Sequence, residues 1–350
     1  MKLIGASLVL LLAACAAPPS APSDASYRAG LTKIASGDAG GAIDDLTRSI
    51  DLDPNNSMAF NWRGHCFNLL GYPEEALLDY DRAIELDPTY AWSHYARGMA
   101  HHNLGRFQEA IAGYSRALAL DPSMVKAWNW RGFTRKLSGD YSGAASDLEH
   151  SLTLVADDTW TLFELAKSRQ ALGDLDACAR LLERIVALDP THGSARAQLG
   201  FLTAVRGETL VSIAHFEAAC ALRAPEETYA RIWIWMQRSD RLVADREWRA
   251  WFTDARIVDP WEQEIAAFIA GEGGDERLAS RAAEETADRV SRGLPRDFLA
   301  CEAAFYSGLR HELWGELEAA QTAYGRAQRE SAAEAWEWHL ASLRASPARR

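Results

Sequence analysis

Small and apolar residues recur with a constant spacing along the first two thirds of the chain. Pro54, Pro88 and Pro122 stand 34 residues apart, and Pro190 lies two such intervals further on. Three other positions keep step with these prolines: a small residue, a second small residue, and a large apolar residue. They are Gly30, Gly64, Gly98, Gly132, Ala166 and Gly200; Ala42, Ala76, Ala110, Ala144, Cys178 and Ser212; and Leu46, Tyr80, Tyr114, Leu148, Leu182 and Phe216. The common interval predicts six structural units, at 23–56, 57–90, 91–124, 125–158, 159–192 and 193–226, which together span 23–226.

Each unit predicts two helices joined by a tight turn. A glycine such as Gly71 follows the first small position in every unit, where it would end the first helix in a left-handed conformation. Asp-Pro pairs such as Asp53-Pro54 close the second helix, because proline cannot continue it. The small residues fall where the two helices cross, and the large apolar residue fills the space beside them. Since a single hairpin cannot bury its apolar face, the units must stack into a superhelix with a concave inner surface.

This period and these residue types resemble the tetratricopeptide repeat (TPR) family. The resemblance implies an all-α, right-handed superhelical solenoid of helical hairpins that binds other proteins. In that family, positions 2, 5, 9 and 12 of the first helix line a groove that accepts an extended or helical peptide. The corresponding candidates include Asn61, His65, Trp92, Tyr95, His102, Lys126, Asn129, Phe133, Trp160 and Phe163. For each tryptophan, packing against a neighbouring hairpin is the alternative interpretation.

Arginine and aspartate recur at two further positions of the unit. The arginines at the seventh position are Arg63, Arg97 and Arg131, and the aspartates at the twenty-third are Asp45, Asp79 and Asp147. We expect ion pairs between adjacent hairpins, because a planar guanidinium can form two parallel hydrogen bonds with a carboxylate. Direct contact between these arginines and a ligand is the alternative.

The remaining third of the chain departs from this register. Helical patterns with tryptophans on one face predict an irregular helical segment over 227–300. Gly308, Gly315, Ala320 and Tyr324 reproduce the repeat intervals and predict a returning seventh unit within 301–350. A final helix over Ala335–Leu343 would cap the stack.

The N-terminus, residues 1–14, resembles the signal peptide of a bacterial lipoprotein. Lys2 precedes the apolar stretch Leu3–Leu12, which is too short to span a bilayer stably, and two alanines then lead to Cys15. In lipoproteins the chain is cut before such a cysteine, and the cysteine is acylated, so Cys15 is the expected lipid anchor. Residues 15–22 are rich in proline and would form a flexible tether. An ordinary secretory signal and an uncleaved membrane helix are the alternatives.

Composition and motifs narrow the function classes. The formal net charge of -12 disfavours nucleic acid and anionic lipid surfaces as partners. The other cysteines are far apart in sequence, which indicates buried thiols, with a periplasmic disulfide as the alternative; they are Cys66, Cys178, Cys220 and Cys301. The chain has no phosphate loop, zinc-protease motif or serine-hydrolase motif. We therefore expect a docking scaffold without catalytic residues, metal or cofactor, and not an enzyme.

A narrower resemblance covers the C-terminal third. The segments 231–235, 261–271, 302–308 and 334–340 resemble the post-repeat helices, returning repeat and closing helix of the NlpI-type outer-membrane adaptor lipoproteins. This resemblance implies a homodimer that presents peptidoglycan endopeptidases to one another or to a periplasmic protease. It also implies a position on the outer membrane facing the periplasm, which Ala16 favours by analogy with enterobacterial lipoproteins. The alternatives are a scaffold subunit of an envelope secretion or assembly complex, a solenoid that binds a small ligand, and a catalytic lipoprotein with its site in 227–300.

Overall fold

The protein is helical wherever its regular structure is described. A computed structural model describes residues 22–222, 230–231, 234, 265, 274–291, 303–307, 311 and 317–329. All regular secondary structure in these residues is α-helix. The predicted all-α solenoid of helical hairpins is therefore confirmed.

Residues 22–222 form six consecutive helical hairpins, in which we call the first helix the A helix and the second the B helix. The A helices are α1 (Pro22–Ala35), α3 (Ser57–Leu69), α5 (Ala91–Asn103), α7 (Val125–Leu137), α9 (Thr159–Ala171) and α11 (Gly193–Val205). The B helices are α2 (Ala39–Leu52), α4 (Pro73–Leu86), α6 (Phe107–Leu120), α8 (Tyr141–Leu154), α10 (Leu175–Leu188) and α12 (Thr209–Ala221). Further along the chain lie α13 (Asp275–Ser291) and α14 (Leu317–Arg329).

The turn between the two helices of a hairpin is set by one glycine. At the end of α3, Gly71 has φ 85°, a conformation that a residue with a Cβ rarely adopts. The following amide of Tyr72 donates to the carbonyl of Phe67 at 2.9 Å, and Gly71 N donates to Asn68 O at 3.3 Å. These two bonds satisfy carbonyl groups that the helix end leaves free, and they allow α4 to start two residues later.

The two helices of a hairpin touch where the sequence places its smallest residues. A Cβ atom added at Gly98 in α5 would lie 2.9 Å from the ring of Tyr114 and 3.1 Å from the carbonyl oxygen of Ala110, both in α6. Tyr114 and Ala110 are completely buried. The glycine therefore permits the close crossing, and the tyrosine fills the space beside it.

The hairpins belong to two compact units, Met1–Ala156 and Asp157–Arg350. Helices α1 to α8 lie in the first unit, and α9 to α14 lie in the second. The boundary follows Ala156, which stands where four of the other B helices are closed by a proline such as Pro122.

The described part of the C-terminal region has a buried aromatic core of its own. Phe305 and Tyr306 are buried, as are Ala320, Tyr324 and Ala327 of α14, and the rings of Phe305 and Tyr324 lie 5.7 Å apart. The large residue that the repeat pattern places at Tyr324 is thus an interior residue. Among the described residues, none of the helices combines the length and the apolar character needed to cross a bilayer.

Several predicted features lie outside the described residues. They are the signal peptide over 1–14, Cys15 and the tether up to residue 21, the tryptophans of 227–300, Cys301, Gly308, Gly315 and the capping helix over 335–343.

Two of the cysteines have the environment that the repeat register predicts for them. Cys66 and Cys178 are buried, at 0% and 1% exposure, and both are free thiols. Burial raises the pKa of each thiol to about 12, because a thiolate is poorly solvated among apolar side chains. These sulfur atoms are packing groups that stay protonated at neutral pH.

Candidate docking groove

The A helices of the first compact unit form its inner surface. Consecutive A helices (α1 and α3, α3 and α5, α5 and α7) touch one another, whereas consecutive B helices do not approach as closely. In a curved stack of hairpins, the helices that lie closer together are on the inside of the curve. The predicted groove of this unit is therefore lined by α3, α5 and α7.

Lys126 links α7 to α5 through Trp92, and its charge reaches His65 in α3. The Nζ atom of Lys126 in α7 lies 5.4 Å from the centre of the Trp92 ring in α5. His65 in α3 packs edge-on against Trp62, with ring centres 5.5 Å apart. Burial, and secondarily the positive charge of Lys126, lowers the pKa of His65, so its ring is neutral at neutral pH.

A second cluster surrounds His102, near the other end of α5. Its ring lies 5.2 Å from Trp130 and 5.8 Å from Phe133, both in α7. Its Nδ1 atom is 2.9 Å from Thr134 Oγ1, and the Thr134 hydroxyl donates to the carbonyl of Trp130. The hydroxyl proton is thus already engaged, so Nδ1 carries the proton and donates to Thr134. Burial lowers the pKa of His102, which keeps the ring neutral.

The two asparagines at the fifth position line the base of the groove. Asn61 is buried, and its Oδ1 atom accepts a hydrogen bond of 3.1 Å from the hydroxyl of Ser93, which ties α3 to α5. Asn129 in α7 is half-buried, and its buried Oδ1 atom accepts no hydrogen bond from the described residues. A buried acceptor without a donor costs about 1–3 kcal/mol, so a donor from water or from a bound segment would be favourable here.

Tyr95 lies deeper than its neighbours on the groove. Its side chain is only 8% exposed and packs between Trp92, at 5.4 Å, and Tyr114, at 5.7 Å. Tyr95 thus supports the exposed part of Trp92 from below as part of the core.

Trp160 and Phe163 belong to the second compact unit, on α9. Trp160 is 39% exposed, and Phe163 packs against the ring of His192 at 5.2 Å. The ammonium of Lys167 lies 5.9 Å from the Phe163 ring. This A helix therefore repeats the combination of an aromatic ring and a lysine that α5 and α7 form together.

The arginine and aspartate positions form ion pairs, but the predicted pairing between adjacent hairpins is wrong for two of the arginines. Arg63 donates to both carboxylate oxygens of Asp79, at 2.8 and 2.7 Å, within one hairpin. Arg131 makes the same two bonds to Asp147, at 2.8 and 2.7 Å. The reason is the crossing of the A and B helices, which brings the seventh and twenty-third positions of one unit face to face.

The preceding hairpin supplies a hydroxyl group instead of the carboxylate. A second nitrogen of Arg63 donates to Thr47 at 3.2 Å, and the corresponding nitrogen of Arg131 donates to Ser115 at 3.0 Å. The guanidinium groups thus fix three helices at once.

Arg97 and Asp45 lack the expected partners. In the unit of Arg97 the twenty-third position is Gly113, so Arg97 turns back and pairs with Asp81 of the preceding hairpin at 3.0 Å. Asp45 has Ala29 at the seventh position of its unit, and Lys33 pairs with it at 2.8 Å.

Sequence reasoning did not assign Trp62, Trp130, Ser93 or Thr134 to the groove. Their side chains contact His65, His102 and Asn61, as described above. Trp62 and Trp130 occupy the same position of the second and fourth units, so their recurrence was a signal that could have found them.

Known repeat families match three parts of this chain. A TPR repeat model matches residues 67–105, and tetratricopeptide repeat models match residues 91–124 and 160–192. The chain contains tetratricopeptide repeats. Such repeats are typically modules for protein–protein interaction, so the TPR hairpins form an interaction scaffold.

Solved structures with the same fold include TPR proteins of bacteria. The C-terminal part of a TPR repeat-containing protein from Cytophaga hutchinsonii is 15% identical, with 68% of this chain and 98% of that chain covered and a TM-score of 0.58. YrrB, a TPR protein with an unusual peptide-binding site, is 20% identical, with 53% and 95% covered and a TM-score of 0.48. MamA from Desulfovibrio magneticus is 22% identical, with 48% and 94% covered and a TM-score of 0.46. These likenesses concern the fold, and no curated protein sequence is significantly similar to this chain.

Proposed function

We propose that this protein is a lipid-anchored docking scaffold of the bacterial envelope, whose α3–α5–α7 groove holds a peptide segment of its partner. The observation that carries the docking role is the half-buried ring of Trp92, which Tyr95 supports from the core and Lys126 flanks on the next A helix. A rigid, half-buried aromatic ring on a concave surface is the kind of group that dominates binding energy at protein interfaces.

The membrane anchor of this proposal is Cys15, which follows the signal-peptide pattern. Helix α1 begins at Pro22, so few residues separate the proposed lipid from the folded body. Seven residues reach at most about 24 Å when fully extended. The scaffold would therefore hold its partner close to the membrane surface.

The proposed partners are peptidoglycan endopeptidases and a periplasmic protease, as the NlpI-type resemblance implies, with the protein on the periplasmic face of the outer membrane. A homodimer is part of the same proposal. If the NlpI-type resemblance does not hold, the alternative partners are subunits of an envelope secretion or assembly complex.

Replacing Trp92 should remove the partner without unfolding the scaffold. We expect Trp92→Ala to reduce crosslinked partner recovered from host membranes by about tenfold or more, because a central aromatic anchor is lost. The control is Leu78→Ala on B helix α4, which removes a side chain that is 73% exposed and should leave recovery unchanged. Circular dichroism of both variants checks that the helices are retained.

The identity of the recovered proteins separates the alternatives. Endopeptidases or a periplasmic protease that are captured by the wild type and lost with Trp92→Ala would support the cell-wall role. Secretion or assembly subunits would contradict that role and leave the docking role intact. Equal capture by Trp92→Ala and Leu78→Ala would mean that the groove is not the docking surface.

The anchor has a separate test. Cys15→Ser removes the thiol that accepts the lipid, so we expect the protein to lose metabolic labelling by palmitate and to leave the membrane fraction. Labelling that persists in Cys15→Ser would place the acyl group elsewhere and contradict the proposed anchor.

A further inference from the structure

Three consecutive groove helices contain no acidic residue. The sequences of α3, α5 and α7 include no aspartate or glutamate, although the chain has a net charge of -12. Their basic residues are Arg63, Arg97, Lys126, Arg131, Arg135 and Lys136. The B helix α4 alone has Glu74, Glu75, Asp79, Asp81 and Glu85. Negative charge is thus present on α4 and absent from α3, α5 and α7.

The arginines of these helices already have carboxylate partners. Asp79 binds Arg63, Asp81 binds Arg97, and Asp147 binds both Arg131 and Arg135. These carboxylates come from B helices and neutralise the guanidinium groups in the body of the stack. The arginines therefore contribute little to the charge that a partner meets in the groove.

Lys126 is different, because it is exposed and has no carboxylate oxygen of a described residue within ion-pair distance. Its ammonium lies over the Trp92 ring, and its charge acts on the neutral ring of His65. A cation over an aromatic ring keeps its charge and can still accept a counter-ion from the open side. The wall of the groove thus presents a positive charge that no carboxylate of the described residues neutralises.

Apart from Lys126 and the buried Lys136, the groove positions of the three helices are apolar or neutral. Met58, Trp92, Met99 and Phe133 occupy the groove positions of the three helices and are each half-buried. A segment that fits this surface needs apolar side chains for these rings and thioethers, and an acidic side chain for Lys126.

The net charge of the whole protein does not prevent such binding. Charges separated by more than about 8 Å are largely screened at physiological ionic strength. Asp79, Asp81 and Asp147 are paired with A-helix arginines, and the axes of the B helices that carry the other carboxylates lie roughly 8–10 Å behind those of the A helices. For an acidic side chain in contact with Lys126, the attraction to its ammonium is therefore stronger than the screened repulsion from the more distant acidic residues.

We infer that the groove of the first compact unit selects a segment in which glutamate or aspartate alternates with apolar residues, with one carboxylate placed on Lys126. This inference rests on the proposed docking role of the groove and adds the chemistry of the partner to it. A basic segment is disfavoured, because it would lose solvation beside Lys126 without gaining an acidic residue on the A helices.

Fluorescence anisotropy with synthetic peptides tests this choice on the full chain in detergent. The probes are three short labelled peptides that alternate leucine with glutamate, with glutamine or with lysine. We expect the glutamate peptide to bind at least about threefold more tightly than the glutamine peptide, since the charge-assisted contact with Lys126 is lost in the latter. Lys126→Gln should weaken the glutamate peptide by about threefold or more and leave the glutamine peptide unchanged.

The matched control is Arg82→Gln, which makes the same change in net charge on B helix α4, where Arg82 pairs with Glu85. The preference for glutamate should survive in this variant. Equal binding of the glutamate and glutamine peptides, tighter binding of the lysine peptide, no binding of the glutamate peptide, or equal effects of Lys126→Gln and Arg82→Gln would each overturn the inference. If any of these results accompanied loss of the native partner with Trp92→Ala, the docking role would stand and only the charge selection would fail.

Discussion

Replacing Asp147 by alanine is expected to lower the free energy of unfolding of the α7–α8 hairpin by about 3–5 kcal/mol. The Asp147 side chain is 2% exposed and accepts hydrogen bonds from Arg131 at 2.8 and 2.7 Å and from Arg135 at 2.9 Å. Removing the carboxylate leaves the guanidinium of Arg131, 13% exposed, without its counter-charge, and leaves Arg135 with only the longer contact to Asp140 at 3.7 Å. Native-state hydrogen exchange of the amides in α7 and α8 measures the loss.

Asp81→Ala is the matched control for Asp147→Ala. Asp81 and its partner Arg97 are 55% and 31% exposed, so water replaces the lost interaction, and the expected change is below about 1 kcal/mol. Similar protection factors in the two variants would contradict the idea that burial makes the Asp147 cluster the stronger one.

Gly98→Ala is expected to destabilise its hairpin by about 1–3 kcal/mol, even though alanine is the better helix former. The added Cβ would lie 2.9 Å from the Tyr114 ring and 3.1 Å from the carbonyl oxygen of Ala110. The ring could shift, but the carbonyl belongs to the backbone of α6 and cannot move without displacing that helix. Urea unfolding followed by circular dichroism measures the shift in midpoint.

A second substitution should recover part of this loss. In the fifth unit the chain itself has Ala166 opposite Leu182, and both side chains are buried. Tyr114→Leu reproduces that pair. We therefore expect Gly98→Ala to cost at least about 1 kcal/mol less in the Tyr114→Leu background. Purely additive effects would show that the crossing at Gly98 has room for a methyl group.

The pairing of arginine and aspartate shows what the repeat register could and could not predict. The register correctly identified the residue types, and Gly113 already indicated that Arg97 would have no carboxylate in its own unit. Whether an arginine pairs with a carboxylate of its own hairpin or of the preceding one depends on how the A and B helices cross. That crossing placed Asp79 opposite Arg63 within one hairpin and turned Arg97 toward Asp81 of the preceding one.

In the groove as well, the repeat register did not predict which side chains on one helix face are exposed. From their repeat positions, Trp92 and Tyr95 were equally good candidates for the surface of the groove. In the structure, Tyr95 is buried against Tyr114, whereas Trp92 remains half-exposed beside Lys126. Two residues three positions apart on one helix differ in burial because the neighbouring B helix covers only one edge of their common face.

The sequence by itself determined the helices, their turns and their close crossings in residues 22–222. These features depend on local physics: a glycine with positive φ, a proline that stops a helix, and a small residue opposite a large one. Only the tertiary structure decided which carboxylate each arginine meets, which rings are covered, and that Lys126 of one helix lies over Trp92 of another. The arginine–aspartate pairs depend on how the two helices of a hairpin cross, and the contact between Lys126 and Trp92 depends on how neighbouring hairpins stack, so the sequence of one helix specifies neither.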